Sequence, residues 1–398
     1  MKKKKICALV LVTAFVTGIL GAGCNKEKET SATGTSDTGI SISIDPNVTS
    51  PTDGSTSGSD GSGASNGSDG TATTTLMKMS YTDNYDQAAI KEMGKKVTIH
   101  GMEIPELVYN FYFANEYAQM LSSMMYGTQY PMTPNGFLDL DGKIMVEKDG
   151  TQVEETIRER LNSEVLYYLQ RDVWLTEYAN KKGLTLDDAA NQDIDKQITD
   201  AQASAEKYNM TLEEYMQSYY GPVASIDGMR DVLKRYELIR KASLDCIESY
   251  ELSDEDTMLP KVYHVLYTTM DLSTRTALPE EQKQAAKTKA EALKSEISSL
   301  DDIKTKGEAA VTAGEAAEAH EYSVMRRTMV KPFEDWCYAP HKAGDIDIVE
   351  TEFGYHVMFF EGKEAVVSEE DKKTIASLKI EDEMDAAIAS GEYDPTYK

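Results

Sequence analysis

The sequence has few cysteines and no long apolar run, and both absences restrict the class of protein. Its 398 residues include four cysteines and no Cys-x-x-Cys pair, which excludes a disulfide scaffold and a Cys-rich zinc module. The only long apolar run, residues 6–20, is shorter than the roughly 20 residues that a helix needs to cross a bilayer, which excludes a multi-pass membrane protein. Basic residues are scarce, with 41 Lys and Arg against 68 Asp and Glu, so the formal net charge is −27. Because phosphate backbones repel such a chain, we expect no nucleic-acid partner.

The first residues have the pattern of a secretory signal. Four lysines after Met1 precede the apolar run, and the small residues at 21–23 precede Cys24. This order resembles a bacterial lipobox, in which signal cleavage leaves a lipidated amino-terminal cysteine. The sequence therefore predicts a lipoprotein signal peptide over residues 1–23, a lipid on Cys24, and anchoring on the extracytoplasmic face of the cell membrane without a transmembrane helix. Ordinary secretion with cleavage near Cys24 is the alternative.

Low sequence complexity marks the next segment, residues 24–76. It consists mainly of Ser, Thr, Gly and Asp, and it has too few apolar residues to offset the entropy that ordering would cost. Such a composition is typical of a flexible tether, which for some fifty residues has an average reach of about 40 Å.

Helical periodicity extends over residues 77–258. Apolar side chains repeat at spacings of three and four in two stripes: Leu107, Phe111, Ala114, Ala118, Leu121 and Met125 in the first, and Ile157, Leu161, Val165, Leu169 and Val173 in the second. The domain is also rich in Met and Tyr, most of which we interpret as helical core. Because several of them cannot share one buried face, a surface that captures unfolded segments is the alternative.

The sequence texture changes at Pro260 to that of a compact α+β domain, residues 259–366. Alternating residues at 261–268 and 354–360 predict strands, and an apolar stripe with Ala286 and Leu293 predicts a helix between them. Residues 367–398 read as a carboxy-terminal helix and tail. The predicted fold class is therefore a multidomain α+β protein.

Three segments of the second domain carry a family resemblance. Val-Tyr-His-Val-Leu at 262–266 resembles the opening strand of parvulin-type peptidyl-prolyl isomerases, and Met-Val-Lys-Pro-Phe-Glu-Asp at 329–335 resembles their substrate-pocket segment. Residues 344–356, which end in Phe-Gly-Tyr-His, resemble the closing turn and strand. With the predicted anchor and helical domain, the chain is similar to extracytoplasmic foldases of the PrsA type, and in plan to SurA.

The resemblance implies an all-α SurA/PrsA-like chaperone domain followed by a parvulin-like domain with a small mixed sheet. It also implies the site: His264, His356 and Thr351 as the catalytic group, and Met329 and Phe333 as the lining of a proline pocket. The implied activity is cis/trans isomerisation of X-Pro bonds in unfolded or partly folded secreted polypeptides. No cofactor and no metal site are expected, and a homodimer stays open.

The sequence departs from the family pattern at two places, and both bear on whether the parvulin-like domain is an active isomerase. Residues 319–323 read Ala-His-Glu-Tyr-Ser where the family has a Gly-Gly-Asp-Leu-Gly-like turn. The Cys or Asp that the family places near its histidines falls near Thr312, which leaves Glu308, Glu315 and His320 as candidate substitutes. The alternative to an active isomerase is therefore a non-catalytic chaperone whose parvulin domain is degenerate.

Overall fold

The computed structural model describes residues 78–124, 128–148 and 151–398. The predicted signal peptide (1–23), the tether (24–76) and Cys24 lie outside these residues. The described chain divides into two compact units, one made of residues 78–245 and 383–398 and the other of Cys246–Asp382. We call them the helical unit and the sheet unit.

Helices make up most of the helical unit. The stripe predicted on its longest helix is confirmed, because Ile157, Leu161, Val165, Leu169 and Val173 are all fully buried. That helix ends at Gly183, whose φ of 68° suits a glycine after the last helical residue. The helices are α1 (Tyr81–Asn84), α2 (Gln87–Glu92), α3 (Glu106–Met124), α4 (Ile157–Lys182), α5 (Asp188–Lys207), α6 (Leu212–Tyr220) and α7 (Ile226–Ser249), the last of which runs into the sheet unit.

The described residues of the helical unit also form five strands, so the prediction of an all-α domain is wrong in this detail. These are β1 (Val97–Ile99), β2 (Met102–Ile104), β3 (Lys143–Lys148), β4 (Thr151–Thr156) and β11 (Pro395–Tyr397). β1 lies between β2 and β11 in an antiparallel sheet, and β3 pairs with β4. Strands of three residues are too short to show an alternating pattern. The turn at His100 and Gly101, both with positive φ, closes the β1–β2 hairpin in the way that two-residue hairpins favour.

The sheet unit is built on four strands. Its elements are β5 (Met258–Thr268), β6 (Met270–Asp271), β7 (Thr276–Ala277), α8 (Glu280–Glu296), α9 (Leu300–Thr312), β8 (Glu318–Ser323), α10 (Lys331–Tyr338), β9 (Ile346–Thr351), β10 (Gly354–Ala365) and most of α11 (Glu369–Ala389), which continues into the helical unit. The strand order is β8-β5-β10-β9, and β6 pairs separately with β7. The α+β fold class is confirmed.

Every pair in the four-stranded sheet is antiparallel, which corrects the prediction of a mixed sheet. The β6–β7 pair and the helices α8 and α9 connect β5 to β8. β8 begins opposite Leu266, near the end of β5, and runs antiparallel to β5. β9 and β10 form a hairpin that closes at Gly354. A Cβ atom at Gly354 would lie 2.2 Å from the carbonyl oxygen of Tyr267, so only glycine fits this close approach.

The two faces of this sheet carry separate cores. Tyr263, Val265 and Val357 point to the face that α8 and α9 cover. The alternate residues, such as Val262 and Met358, pack with α10 on the other face. This alternation confirms the predicted strand faces and determines which residues share the α10 side with His264 and His356.

No helix among the described residues has both the length and the apolar character that crossing a bilayer requires. Cys246 and Cys337 are buried in the sheet unit and form no disulfide with each other.

Candidate functional site

Two histidines meet on the α10 side of the central strand pair. His264 of β5 pairs in register with Met358 of β10, and His356 with Leu266, so the histidines are diagonal neighbours on one face. Their Nδ1 atoms lie 3.1 Å apart, and the residues are 1% and 5% exposed. Because one nitrogen of such a hydrogen bond must donate and the other accept, at least one ring is neutral.

Burial keeps both imidazoles in their neutral form. Desolvation, together with the smaller effects of the neighbouring His356 and His320, lowers the pKa of His264 from 6.5 to about 3. Desolvation also lowers the pKa of His356 to about 4. Neither ring gains a proton at neutral pH, so the pair is unsuited to shuttling protons and suited to a fixed hydrogen-bond network.

The network continues from each histidine to a polar side chain. The Oγ1 of Thr351, the last residue of β9, lies 2.9 Å from His356 Nε2. On the other side, Glu318 Oε1 lies 3.3 Å from His264 Nε2. That contact is poorly aligned, and Nε2 has no well-formed hydrogen bond among the described residues.

The carboxylate of Glu318 indicates which atom donates and which accepts at each contact between Glu318, His264, His356 and Thr351. An ionised carboxylate repels a lone pair and attracts an N–H group, so Glu318 favours the tautomer in which His264 Nε2 carries the proton. With neutral rings, His264 Nδ1 then accepts from His356 Nδ1, and His356 Nε2 accepts from the Thr351 hydroxyl. Each group in the row has one consistent role.

Glu318 is the residue that sequence reasoning missed. The candidates from the sequence were Glu308, Glu315 and His320. The carboxylate that faces His264 Nε2 in the structure is instead that of Glu318. His320 lies directly opposite His264 in the β5–β8 register and is exposed. Had residues 318–323 been recognised as a strand beside β5, its alternation would have put Glu318 on the histidine face.

An apolar wall covers the histidines. Phe333 of α10 is 98% buried, and its ring meets His264 and His356 edge-on, with centroids 5.2 and 5.3 Å away. Tyr322 of β8 stacks on His264 at 5.2 Å. Met329, just before α10, packs against the same cluster. The structure thus brings together the five site residues predicted in this domain.

The segment that carries Met329 is held through Arg327, two residues before it. The backbone amide of Arg327 donates to the carboxylate of Glu334 on α10. The guanidinium of Arg327 pairs with Glu381, which is buried, and with Asp382 on α11. These contacts fix the pocket segment relative to α10 and α11, even though Arg327 has a φ of 61° that non-glycine residues seldom adopt.

Among the described residues, no group of three His, Cys, Asp or Glu side chains is placed to hold a metal ion. Cys337, beside the pocket, is not a candidate nucleophile, because burial raises the pKa of its thiol to about 12.

This arrangement defines a parvulin-class domain: an antiparallel four-stranded sheet, a buried histidine pair, and an apolar helix above it. Residues 251–364 match the family model of the PPIC-type PPIASE domain, so the chain contains a domain of this family. The sequence resemblance to parvulin-type isomerases is therefore confirmed. A comparison with curated proteins finds no match.

Solved structures similar to the chain include peptidylprolyl isomerases named PrsA and SurA-like chaperones. PrsA from Bacillus anthracis is 18% identical, with 55% of this chain and 88% of that chain covered and a TM-score of 0.24. PrsA from Bacillus cereus is 17% identical, with 63% and 88% covered and a TM-score of 0.30. A structure reported with the SurA-like chaperones PEB4 and Cj1289 of Campylobacter jejuni is 11% identical, with 77% and 99% covered and a TM-score of 0.19.

Proposed function

We propose that this protein is a lipid-anchored extracytoplasmic foldase that isomerises X-Pro bonds and holds unfolded secreted polypeptides. The observation that carries the proposal is the neutral histidine pair buried beneath Phe333 within a PPIC-type domain. In the proposed division of the chain, residues 77–258 hold clients, 259–366 isomerise, and 367–398 form the closing helix and tail.

Rotation of the X-Pro bond needs stabilisation of a twisted amide rather than a chemical step. The barrier is about 18–20 kcal/mol, because the planar amide is stabilised by resonance. The twisted amide has lost that resonance and its charge separation, so it needs less solvation. An apolar pocket walled by Phe333 and Met329 therefore favours the twisted state over the planar one, and no covalent intermediate is required.

The histidine network has a positioning role in this proposal. His264 and His356 form the floor beneath Phe333, and Thr351 and Glu318 fix their ring orientations and tautomers. Because the rings stay neutral, they lower the polarity of the floor while keeping its shape. A protonated ring there would favour the planar, charge-separated amide and slow the reaction.

A rate measurement on purified protein tests the isomerase directly. We expect acceleration of a peptide with one X-Pro bond in a protease-coupled assay, with kcat/KM constant between about pH 5 and 8 because both histidine pKa values lie below this range. Glu318→Leu removes the carboxylate that faces His264 Nε2 and should lower kcat by about fivefold, with KM unchanged, as expected for loss of one polar contact to a partly exposed charge. Glu318→Gln retains an acceptor and should restore most of the loss.

Glu315→Leu is the matched control, because Glu315 pairs with Lys289 and should leave the rate unchanged. Imidazole ¹⁵N shifts give a second measurement: Glu318→Leu should change the protonation of His264 Nε2. An equal loss in Glu315→Leu, or unaltered ¹⁵N shifts in Glu318→Leu, would rule out the positioning role.

The second candidate function is a chaperone without turnover. It is favoured by Ala-His-Glu-Tyr-Ser at 319–323, which replaces the glycine-rich turn of the family. A folded wild-type protein that suppresses client aggregation and leaves the X-Pro rate at background would select this candidate.

The proposed anchor is tested at Cys24. The small residues before it and the polar tether after it support cleavage and lipidation at this position. Cys24→Ala should move the protein from the membrane fraction to the medium, or leave an unprocessed precursor, because acyl chains hold the protein by about 0.8 kcal/mol per buried methylene. Fractionation and mass measurement give the result, and normal processing with full membrane retention of Cys24→Ala would contradict the anchor.

A further inference from the structure

The helical unit encloses a cavity that the isomerase proposal does not use. It has a volume of about 240 Å³ and lies among α1, α3, α5, α6 and α7. Its walls are mainly aromatic and aliphatic, and they include Phe111, Tyr117, Leu121, Tyr215, Met216 and Leu233. The partly exposed Leu121, Ile198 and Tyr219 mark the side at which the cavity reaches solvent.

Two buried carboxamides line this cavity without a protein partner. Asn115 of α3 is 4% exposed and Gln197 of α5 is 5% exposed. Neither side chain makes a hydrogen bond within the part of the chain that the structure describes. Other polar side chains of the lining are paired: Asn84 Nδ2 donates to the Ser218 carbonyl, and Ser204 Oγ to that of Asp200.

Carboxamides that border a cavity and make no hydrogen bond to the protein are available to a ligand. A buried polar group without a partner costs more than the net gain of a typical hydrogen bond. Asn84 and Ser204 are paired, whereas the buried hydroxyl of Tyr215, which also lines the cavity, has no hydrogen bond among the described residues. Asn115 and Gln197 thus remain free to pair with a molecule in the cavity.

The lining also restricts what that molecule is. None of the residues that line the cavity is charged, which excludes an ionic ligand. A carboxamide offers the same donor and acceptor as a peptide group, so the pair matches backbone N–H and C=O groups of any sequence. The volume is below the roughly 300–1,000 Å³ of sites for drug-sized ligands. It suits one bulky apolar side chain with its adjoining peptide groups, and flexible Met216 lets the wall adapt.

We propose that this cavity is the client-holding site of the helical unit: it takes one aromatic or aliphatic side chain of an unfolded, extended peptide, and Asn115 and Gln197 bind the backbone beside that side chain. The proposal rests on the client-holding half of the proposed function. It is independent of the X-Pro pocket.

The test uses a proline-free peptide, so that the isomerase pocket does not contribute. The probe is a fluorescein-labelled nonapeptide of Gly and Ser with one central Phe, and the reference is the same peptide with Ala in that place. Fluorescence anisotropy with the full chain should show binding of the Phe peptide and at least about tenfold weaker binding of the Ala peptide, as expected for loss of a buried aromatic ring.

Substitutions separate a binding role from a structural one. Asn115→Leu and Gln197→Leu keep a similar side-chain volume. Each should weaken binding of the Phe peptide by about fivefold, because a hydrogen-bonding group for the peptide backbone is lost. Each should also raise the melting temperature, because a buried amide without a protein partner is removed. Gln119→Leu, an exposed position on the same helix, is the control and should leave the affinity unchanged. Ala118→Trp places a large side chain in the lining and should abolish binding.

Three results would overturn the cavity site: equal affinity for the two peptides, wild-type affinity in both leucine variants, or a lower melting temperature in both, which would mean that the amides serve the fold. The X-Pro rate of these variants should equal that of the wild type. A wild-type protein without isomerase activity that still discriminates between the peptides would count against the isomerase and leave the cavity site standing.

Discussion

Phe333→Ala should reduce kcat/KM for X-Pro isomerisation by about thirty- to more than a hundredfold, equivalent to roughly 2–3 kcal/mol. The Phe333 ring is buried against both histidines. In the proposed mechanism, this ring excludes water from the twisted amide. His264→Gln should cost less, since Gln retains part of the hydrogen-bond network. The protease-coupled assay measures both losses.

Stability must be separated from catalysis in this comparison. Removal of a buried Phe side chain destabilises a core by about 3–5 kcal/mol, so circular dichroism has to accompany the rates. Phe333→Leu retains most of the volume and should remain folded with a loss of about tenfold. If folded His264→Gln is slower than folded Phe333→Leu, the rate depends on the histidines rather than on the apolar wall, and the mechanism proposed here is wrong.

Glu116→Gln should stabilise the helical unit at pH 8 by up to about 4 kcal/mol and leave it unchanged near pH 4.5. Glu116 is 4% exposed, and its Oε1 has no hydrogen bond among the described residues. Burial, and then the carboxylate of Glu164, raise its pKa from 4.5 to about 8, which Arg160 opposes. As the pH rises above 4.5, the unfolded chain releases this proton and the folded chain keeps it. Stability therefore falls until about pH 8, where the folded form also ionises.

Urea unfolding at the two pH values measures this effect. The chain has two tryptophans, of which Trp174 lies in the helical unit and Trp336 in the sheet unit. In a Trp336→Phe background, fluorescence therefore reports on the helical unit alone. Glu213→Gln, at an exposed position of α6, should change stability little at either pH. A Glu116→Gln variant with the same pH dependence as its parent would show that Glu116 ionises normally in the folded protein.

The strands and the core of the sheet unit could be predicted from sequence because alternation over seven or more residues is a strong signal. It placed His264 with Val262, and His356 with Met358, on one face. Phe333 and Met329 were reached through the family resemblance, and the structure brings them to the histidines. Their catalytic role stays a prediction.

The features that could not be predicted from the sequence depend on contacts between residues far apart in the chain. β8 is half-exposed and carries His, Glu and Tyr, so its residues lack the apolar alternation of a buried strand, and Glu318 could not be assigned. β1 and β11 are three residues each and pair across almost 300 positions. The cavity in the helical unit combines side chains of five helices whose packing order the apolar stripes do not encode.

The strand pairing of β11 with β1 makes the sheet unit an insertion within the helical unit. The helical unit is interrupted after residue 245 and resumes at residue 383, and Gln170 donates to the Tyr393 carbonyl as β11 approaches β1. In a chain that is made amino end first, the whole inserted unit therefore precedes the last strand of its host. The sheet unit can complete its four-stranded sheet before β11 is available to complete the antiparallel sheet with β1 and β2.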